Sequence, residues 1–464
     1  MSIRVDNVAK QLDYKSETVI YPSYRYLRQF PQSGTGATGF NVTTNGGNVS
    51  IFEIPSKVMN LAKSYLSFLV TPTALGAGNY NYLYADCLSF VRQIELRTKS
   101  GIELCRLEYV NNFTKLIWKP ETAYQKYKSF PIFTNWNGGV GGLGQMFCPV
   151  NFDNTGPIGR RPNNGSVSVF FTEPLYQFTG GDDTATPVLN IRFPLEMLYY
   201  TIFALDKDIY FPEVINLSIT WAPTTKMAWL STSGADPTAG QPAPYAQSIN
   251  ISNLYLYLAI EENEGIAKGV IGDVMAGKFT ALIPWTWGLM HGIQNGQSSN
   301  FTARYDGHNG LNLCKIVWSY FNDTETGNTA YDCSLIAANG AVDQKIREFY
   351  TILDGNRRQD FNLDTSEGDH YFYMKDKLQG SVIQNQNMFD HNFCFIESFM
   401  GNAPFHMEKD MIFKYNCGLP LTTEHKYDII VTSQNDGVGV AYHLYIYGIC
   451  QRKLTIGPNF VEII

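Results

Sequence analysis

The run "IELRTKSGIELCRLEY", Ile94 to Tyr109, is the key to the fold. An alternating apolar pattern meets a turn at Ser100-Gly101. A stretch with helix-like spacing follows. A second run, "SLIAANGAVDQKIREFY" from Ser334 to Tyr350, repeats that order around Asn339-Gly340. Two further echoes keep the same chain order. "INLSITW" matches "YDIIVTS", placing Ile219-Thr220 against Val431-Thr432. "LYLYL" from Leu254 matches "LYIYG" from Leu444. The offsets fall from 239 to 212 to 190. The first half therefore carries 27 extra residues in one interval and 22 in the next. Two long loop-like stretches rich in Gly, Pro, Asn, Ala and Thr, Phe133–Ser166 and Ala222–Ser248, lie in those intervals. Ordered echoes with matching insertions read as a duplicated β-domain whose first copy has gained two loops.

Strand patterns dominate the rest of the chain. "NVSIFEIP" (Asn48–Pro55), "SYLSFLVTP" (Ser64–Pro72), "PVLNIRFPL" (Pro187–Leu195) and "NLCKIVWSYF" (Asn312–Phe321) are short and bounded by Gly, Pro, Asn or Asp. That is the all-β signature. Helix-like spacing is confined to Glu103–Trp118, Ala341–Leu353 and, between the two halves, Asn263–Gly277. These patterns divide the chain into an arm over 1–44, a β-domain over 45–262, a linker over 263–277 and a second β-domain over 278–464.

Composition narrows the function. The chain has 464 residues, enough for two domains of roughly 200. Aromatic residues make up 14% and charged residues only 17%, a balance suited to strands and large protein contacts. The formal net charge of −7 gives no basic footprint for direct, specific nucleic-acid binding. The N-terminus lacks the apolar core of a signal peptide, and no apolar run is long enough for a transmembrane helix. Eight scattered cysteines without a C-x-x-C pair fit reduced, mostly buried thiols in a chain made inside a cell.

Catalytic and metal motifs fall short of their chemistry. "GDVMAGKFT" (Gly272–Thr280) has the glycines and lysine of a phosphate loop, but Phe279 replaces the hydroxyl that would ligate magnesium. Glu367, Asp369 and His370 stand together without ligand spacing and read as a solvated turn. Trp285 and Trp287, two apart, would share one face of a strand. The exposed-contact candidates are Trp136, Arg160, Arg161 and Trp229, all in the two long loops. No catalytic, cofactor or metal residue is assigned, and the chain is expected not to be an enzyme.

Three stretches carry a family resemblance: "NVSIFEIPSKVMNLAKSYLSFLVTP", "FVRQIELRTKSGIELCRLEY" and "IRFPLEMLYY…YFPEVINLSITW". In these the chain resembles the double jelly-roll major capsid proteins of the adenovirus, polinton-like virus and virophage lineage. The resemblance implies two tandem eight-stranded jelly rolls, with a few short helices and long surface loops in the first. It implies homotrimers forming pseudo-hexameric capsomers that tile an icosahedral shell of a double-stranded DNA virus. Its implied partners are neighbouring capsomers, penton and other minor capsid proteins, and host surface glycans met through outer loops. The expected location is the virion, with assembly inside the host cell. The alternative is a carbohydrate-binding or carbohydrate-cleaving tandem β-sandwich protein, which would use paired carboxylates in a cleft.

Overall fold

The computed structural model describes residues 21–32, 39–72, 80–84, 89–123, 135–136, 175–179, 189–231, 248–293, 298–322, 333, 335, 346–433 and 442–464. Sixteen principal strands fall into two sets of eight. The first set is β1 (Tyr24–Gln29), β2 (Val49–Ile54), β3 (Met59–Pro72), β4 (Val91–Thr98), β5 (Glu103–Glu108), β6 (Leu189–Pro194), β7 (Ile215–Trp221) and β8 (Ser248–Glu261). The second is β9 (Phe279–Ile293), β10 (Ser298–Tyr305), β11 (Asn312–Asn322), β12 (Ile346–Leu353), β13 (Asn356–Arg357), β14 (Phe395–Ser398), β15 (His425–Ser433) and β16 (Tyr442–Gly457).

In the first set the sheets run β1-β8-β3-β6 and β2-β7-β4-β5. In the second they run β9-β16-β11-β14 and β10-β15-β12-β13. Adding eight to each strand number converts one order into the other, and every pairing is antiparallel. Each set is an eight-stranded jelly roll, so the fold is all-β with two tandem rolls. Among the described residues no sheet mixes strands from the two rolls. An isolated bridge, Ala123 to Ser381, crosses between them.

The inward faces of each pair of sheets form the core, as two-layer packing requires. In the first roll the Phe68 ring meets Trp221 at 5.0 Å, and the Trp221 indole donates to Ser50 Oγ at 2.9 Å. In the second, Trp318 is enclosed by Phe349, Phe393 and Phe395 at 4.8, 5.5 and 5.5 Å. Gly448 on β16 is required here. A Cβ added to it would lie 2.1 Å from a ring carbon of the buried Tyr305. We therefore expect Gly448→Ala to cost about 1–3 kcal/mol through displacement of that ring. Chemical denaturation of the variant beside the parent chain measures it, and an unchanged midpoint would contradict the packing.

The structure revises several sequence expectations. Glu103–Glu108 is a strand; the helix α1 begins only at Val110 and runs to Glu121. The Ala341–Leu353 stretch is also not helical where described: Ile346–Leu353 is strand β12. The cause is the same in both. The pairing register shifts between Leu96 and Arg97 opposite β5, and between Ile346 and Glu348 in β12. Each irregularity adds a residue, so Leu104 and Leu107, and Ile346 and Phe349, all point inward at a spacing of three. That spacing imitates a helix.

The bulge also hid the true copy of the Ser100-Gly101 turn. Ile94 pairs with Ile219, and Phe349 pairs with Val431. Since Ile219 and Val431 are themselves equivalent, Ile94 corresponds to Phe349, at an offset of 255. The repeated corner is thus Asp354-Gly355, with positive φ of 52° and 79°, beside Gly101 at 97°. Asn339-Gly340 lies outside the described residues.

Two segments connect differently from the sequence division. Residues 24–29 and 40–43, placed in the arm, pair with β8 as strands of the first roll. Between the rolls runs helix α2 (Glu264–Met275), capped by Asn263, whose side chain accepts from the amides of Gly265 and Ile266. Three short helices follow in the second roll: α3 (Asp369–Met374), α4 (Gln386–His391) and α5 (Phe405–Met411).

Candidate functional site: the seam between the rolls

Helix α1 leaves β5 through Tyr109, which turns the chain in the left-handed region at φ 52°. All twelve of its residues are buried, including Lys115, Lys119 and Glu121. A helix buried on every side needs a partner on every side. One side packs on β4 of its own roll. The other meets the outward face of the second roll's β9-β16-β11-β14 sheet. Phe113 lies 4.7 Å from Tyr447, and Tyr109 lies 5.5 Å from Tyr445. Backbone bonds extend the seam: Val382 N–H donates to Lys119 O at 3.2 Å, and Thr286 Oγ1 donates to Tyr200 O at 2.9 Å.

At the centre of the seam is a closed ionic cluster. Lys315 on β11 places Nζ 2.8 Å from Glu121 Oε1, 3.1 Å from Glu408 Oε2 and 2.8 Å from the Tyr200 hydroxyl. Glu408, on α5, also binds Lys377 Nζ at 2.5 Å. The side chains of Lys315, Glu121 and Glu408 are fully buried. Two ammonium groups balance two carboxylates, which is the condition for keeping ions out of water. Burial pushes the Glu121 carboxyl above its ordinary value, and the Lys315 ammonium opposes that rise. Burial, reinforced by the Glu121 charge, holds the Tyr200 hydroxyl well above its usual value. Perturbed groups of this kind also mark active sites. Here the groups are fully buried, and they tie Glu121 of the first roll to Lys315 and Glu408 of the second.

The sequence candidates fall elsewhere. Trp136 lies in a two-residue strand beside β6, and Trp229 in a separate three-stranded sheet with Tyr80–Tyr84 and Leu175–Thr179. The side chains of both tryptophans, and Arg160 and Arg161 altogether, lie outside what the structure describes. Trp285 and Trp287 share a face of β9 with ring centroids 6.3 Å apart. Trp285 is buried beneath the Arg452 guanidinium, at 4.0 Å, and Trp287 is exposed. The residues from Gly272 to Lys278 close helix α2 and enter a strand, the reverse of a phosphate loop's strand-to-helix order. His370 corrects the reading of a solvated turn: its ring is buried, with Nε2 2.6 Å from Asp390 Oδ1, and it stacks on Phe389. Sequence reasoning missed the ionic cluster. Its one visible sign was Lys315 inside the apolar run "NLCKIVWSYF". No helix among the described residues is long and apolar enough to cross a membrane.

No family model and no curated protein sequence matches the chain. Solved structures do. The Faustovirus major capsid protein superposes with a TM-score of 0.54 at 11% identity, over 96% of this chain and 92% of that one. The mavirus major capsid protein gives 0.53 at 10%, over 97% and 94%. A chain of the PBCV-1 virus capsid gives 0.53 at 10%, over 97% and 98%. At this identity the likeness concerns the fold. In its described residues the chain has the double jelly-roll architecture of these viral capsid proteins.

Proposed function

We propose that this chain is the major capsid protein of a double-stranded DNA virus and resides in the virion. Three copies form a pseudo-hexameric capsomer, and capsomers tile an icosahedral shell. The observation that carries this reading is the pair of rolls with one strand order, fixed to each other by a dry ionic seam. A chain built as two locked, similar halves gives a near-sixfold outline from a true threefold ring, since cyclic closure repeats one interface. The buried charges of the seam serve that rigidity. The fold shared with viral capsid proteins supports the same reading.

Analytical ultracentrifugation and electron microscopy of the purified chain test it. A particle of about three times 52.2 kDa with a hexagonal outline is expected. A monomer at all concentrations, binding polysaccharide, would favour the carbohydrate-directed alternative. Residues 1–20 act in this reading as an arm contacting neighbouring capsomers or minor capsid proteins. If a chain lacking them builds shells as well as the full chain, that role is wrong.

A further inference from the structure

The duplication lets the same face be compared in the two rolls. Asn60-Leu61-Ala62-Lys63 with Ser67-Phe68 on β3 recurs 252 positions later. The copy is Asn312-Leu313-Cys314-Lys315 with Ser319-Tyr320 on β11. Pairing confirms the register: Tyr65 pairs with Tyr257 on β8, and Val317 with Tyr447 on β16. Tyr255 and Tyr257 are thus the first-roll counterparts of Tyr445 and Tyr447, and Lys63 matches Lys315 in the sequence repeat.

The counterparts have opposite surroundings. Tyr445, Tyr447 and Lys315 are buried within the chain, beneath α1 and against Glu121. Tyr65, Tyr255 and Tyr257 are half-buried, and Lys63 is exposed beside Asp206. The first-roll face is also ordered. Tyr65 stacks on Tyr257 at 4.8 Å, and the Arg28 guanidinium lies 4.9 Å from the Tyr255 ring. Tyrosine and arginine on a rigid sheet are the residue types that dominate binding at protein interfaces.

The covering element has an uncovered counterpart too. α1 follows β5, and the segment that follows β13 runs over 358–374 and ends in α3. Every residue of α1 is buried, whereas this segment exposes Phe361 at 58% and Phe372 at 59%. One half of the contact that joins the rolls is therefore left open on each side of the chain.

We infer that the Tyr65/Tyr255/Tyr257 face of the first roll docks the Phe361/Phe372 surface of the second roll of another copy, repeating the internal seam between chains. The inference rests on the assembly reading above and names the surfaces that perform it. The interface is head-to-tail, so a ring of copies satisfies both surfaces at once.

Two measurements on the full chain test this. Tyr257→Asp should stay folded by circular dichroism yet sediment as a monomer where the parent chain associates. Chains carrying Tyr257→Cys and chains carrying Phe372→Cys, mixed and treated with a bis-maleimide, should give a link that mass spectrometry maps to positions 257 and 372 of different molecules. If Tyr257→Asp fails to fold, the cross-link decides. A folded Tyr257→Asp chain that associates like the parent, or the absence of that link in an associating mixture, overturns the inference and leaves the capsid reading standing. A parent chain that never associates removes the reading itself.

Discussion

Lys315→Met should lower stability by about 3–5 kcal/mol, the cost of leaving buried carboxylates without their counter-charge. For a roll of roughly 200 residues this amounts to a fall in melting temperature of roughly 10 °C. The side chain is fully enclosed, and its ammonium is the shared partner of Glu121, Glu408 and the Tyr200 hydroxyl. Methionine fills similar space, so the loss measures charge rather than volume. The double variant Lys315→Met with Glu121→Gln should recover much of it, because Glu408 keeps Lys377 and the set is neutral again. The deficit should also depend on pH. Burial already raises the Glu121 carboxyl, and Lys315 is what opposes the rise. Without Lys315 the folded value climbs further above the unfolded one. A carboxyl raised on folding adds stability at pH values below its unfolded value, and that stability is lost as pH rises through the folded value. The gap between Lys315→Met and the parent chain should therefore widen from acid toward neutral pH. A pH-independent gap, or a double variant no more stable than the single one, would mean the cluster does not hold the seam.

Trp318→Ala should cost a similar amount, about 3–5 kcal/mol, for a different reason. Trp318 is fully buried and touches three phenylalanine rings from β12, β14 and the approach to β14. Alanine removes those contacts and leaves a cavity that two flanking sheets cannot close. Trp318→Phe should restore part of the loss, since a smaller ring still fills half the slot. Thermal unfolding of the three proteins separates these cases. Equal melting temperatures for the alanine variant and the parent would show that the aromatic cluster does not support the second roll. Unlike Lys315→Met, this variant should show little dependence on pH, since the contacts it removes are with phenylalanine rings.

Much of the fold was legible because alternation survives in sequence. Val49–Ile54, Leu189–Pro194, Ile215–Trp221 and Asn312–Asn322 lie within or almost on the stretches that their patterns marked. The echoes at Ile219/Val431 and Leu254/Leu444 fall on equivalent strands, β7 with β15 and β8 with β16. The helix reading of Glu103–Glu108 and Ile346–Leu353 failed, because an added residue at each bulge gave two strands the spacing of a helix. The short edge strand β1 carried too little pattern to separate it from an arm.

The sequence by itself determined the class of fold and its duplication. Those depend on local periodicity and on residue types, which a linear reading preserves. Only the tertiary structure decided where the rolls join. Glu121, Tyr200, Lys315 and Glu408 come from four distant segments, and charges that far apart become partners only when burial removes water from between them. The same holds for the two faces left open. Lys63 and Lys315 sit in matching strands of matching sheets, and what separates them is that α1 covers one of them and not the other.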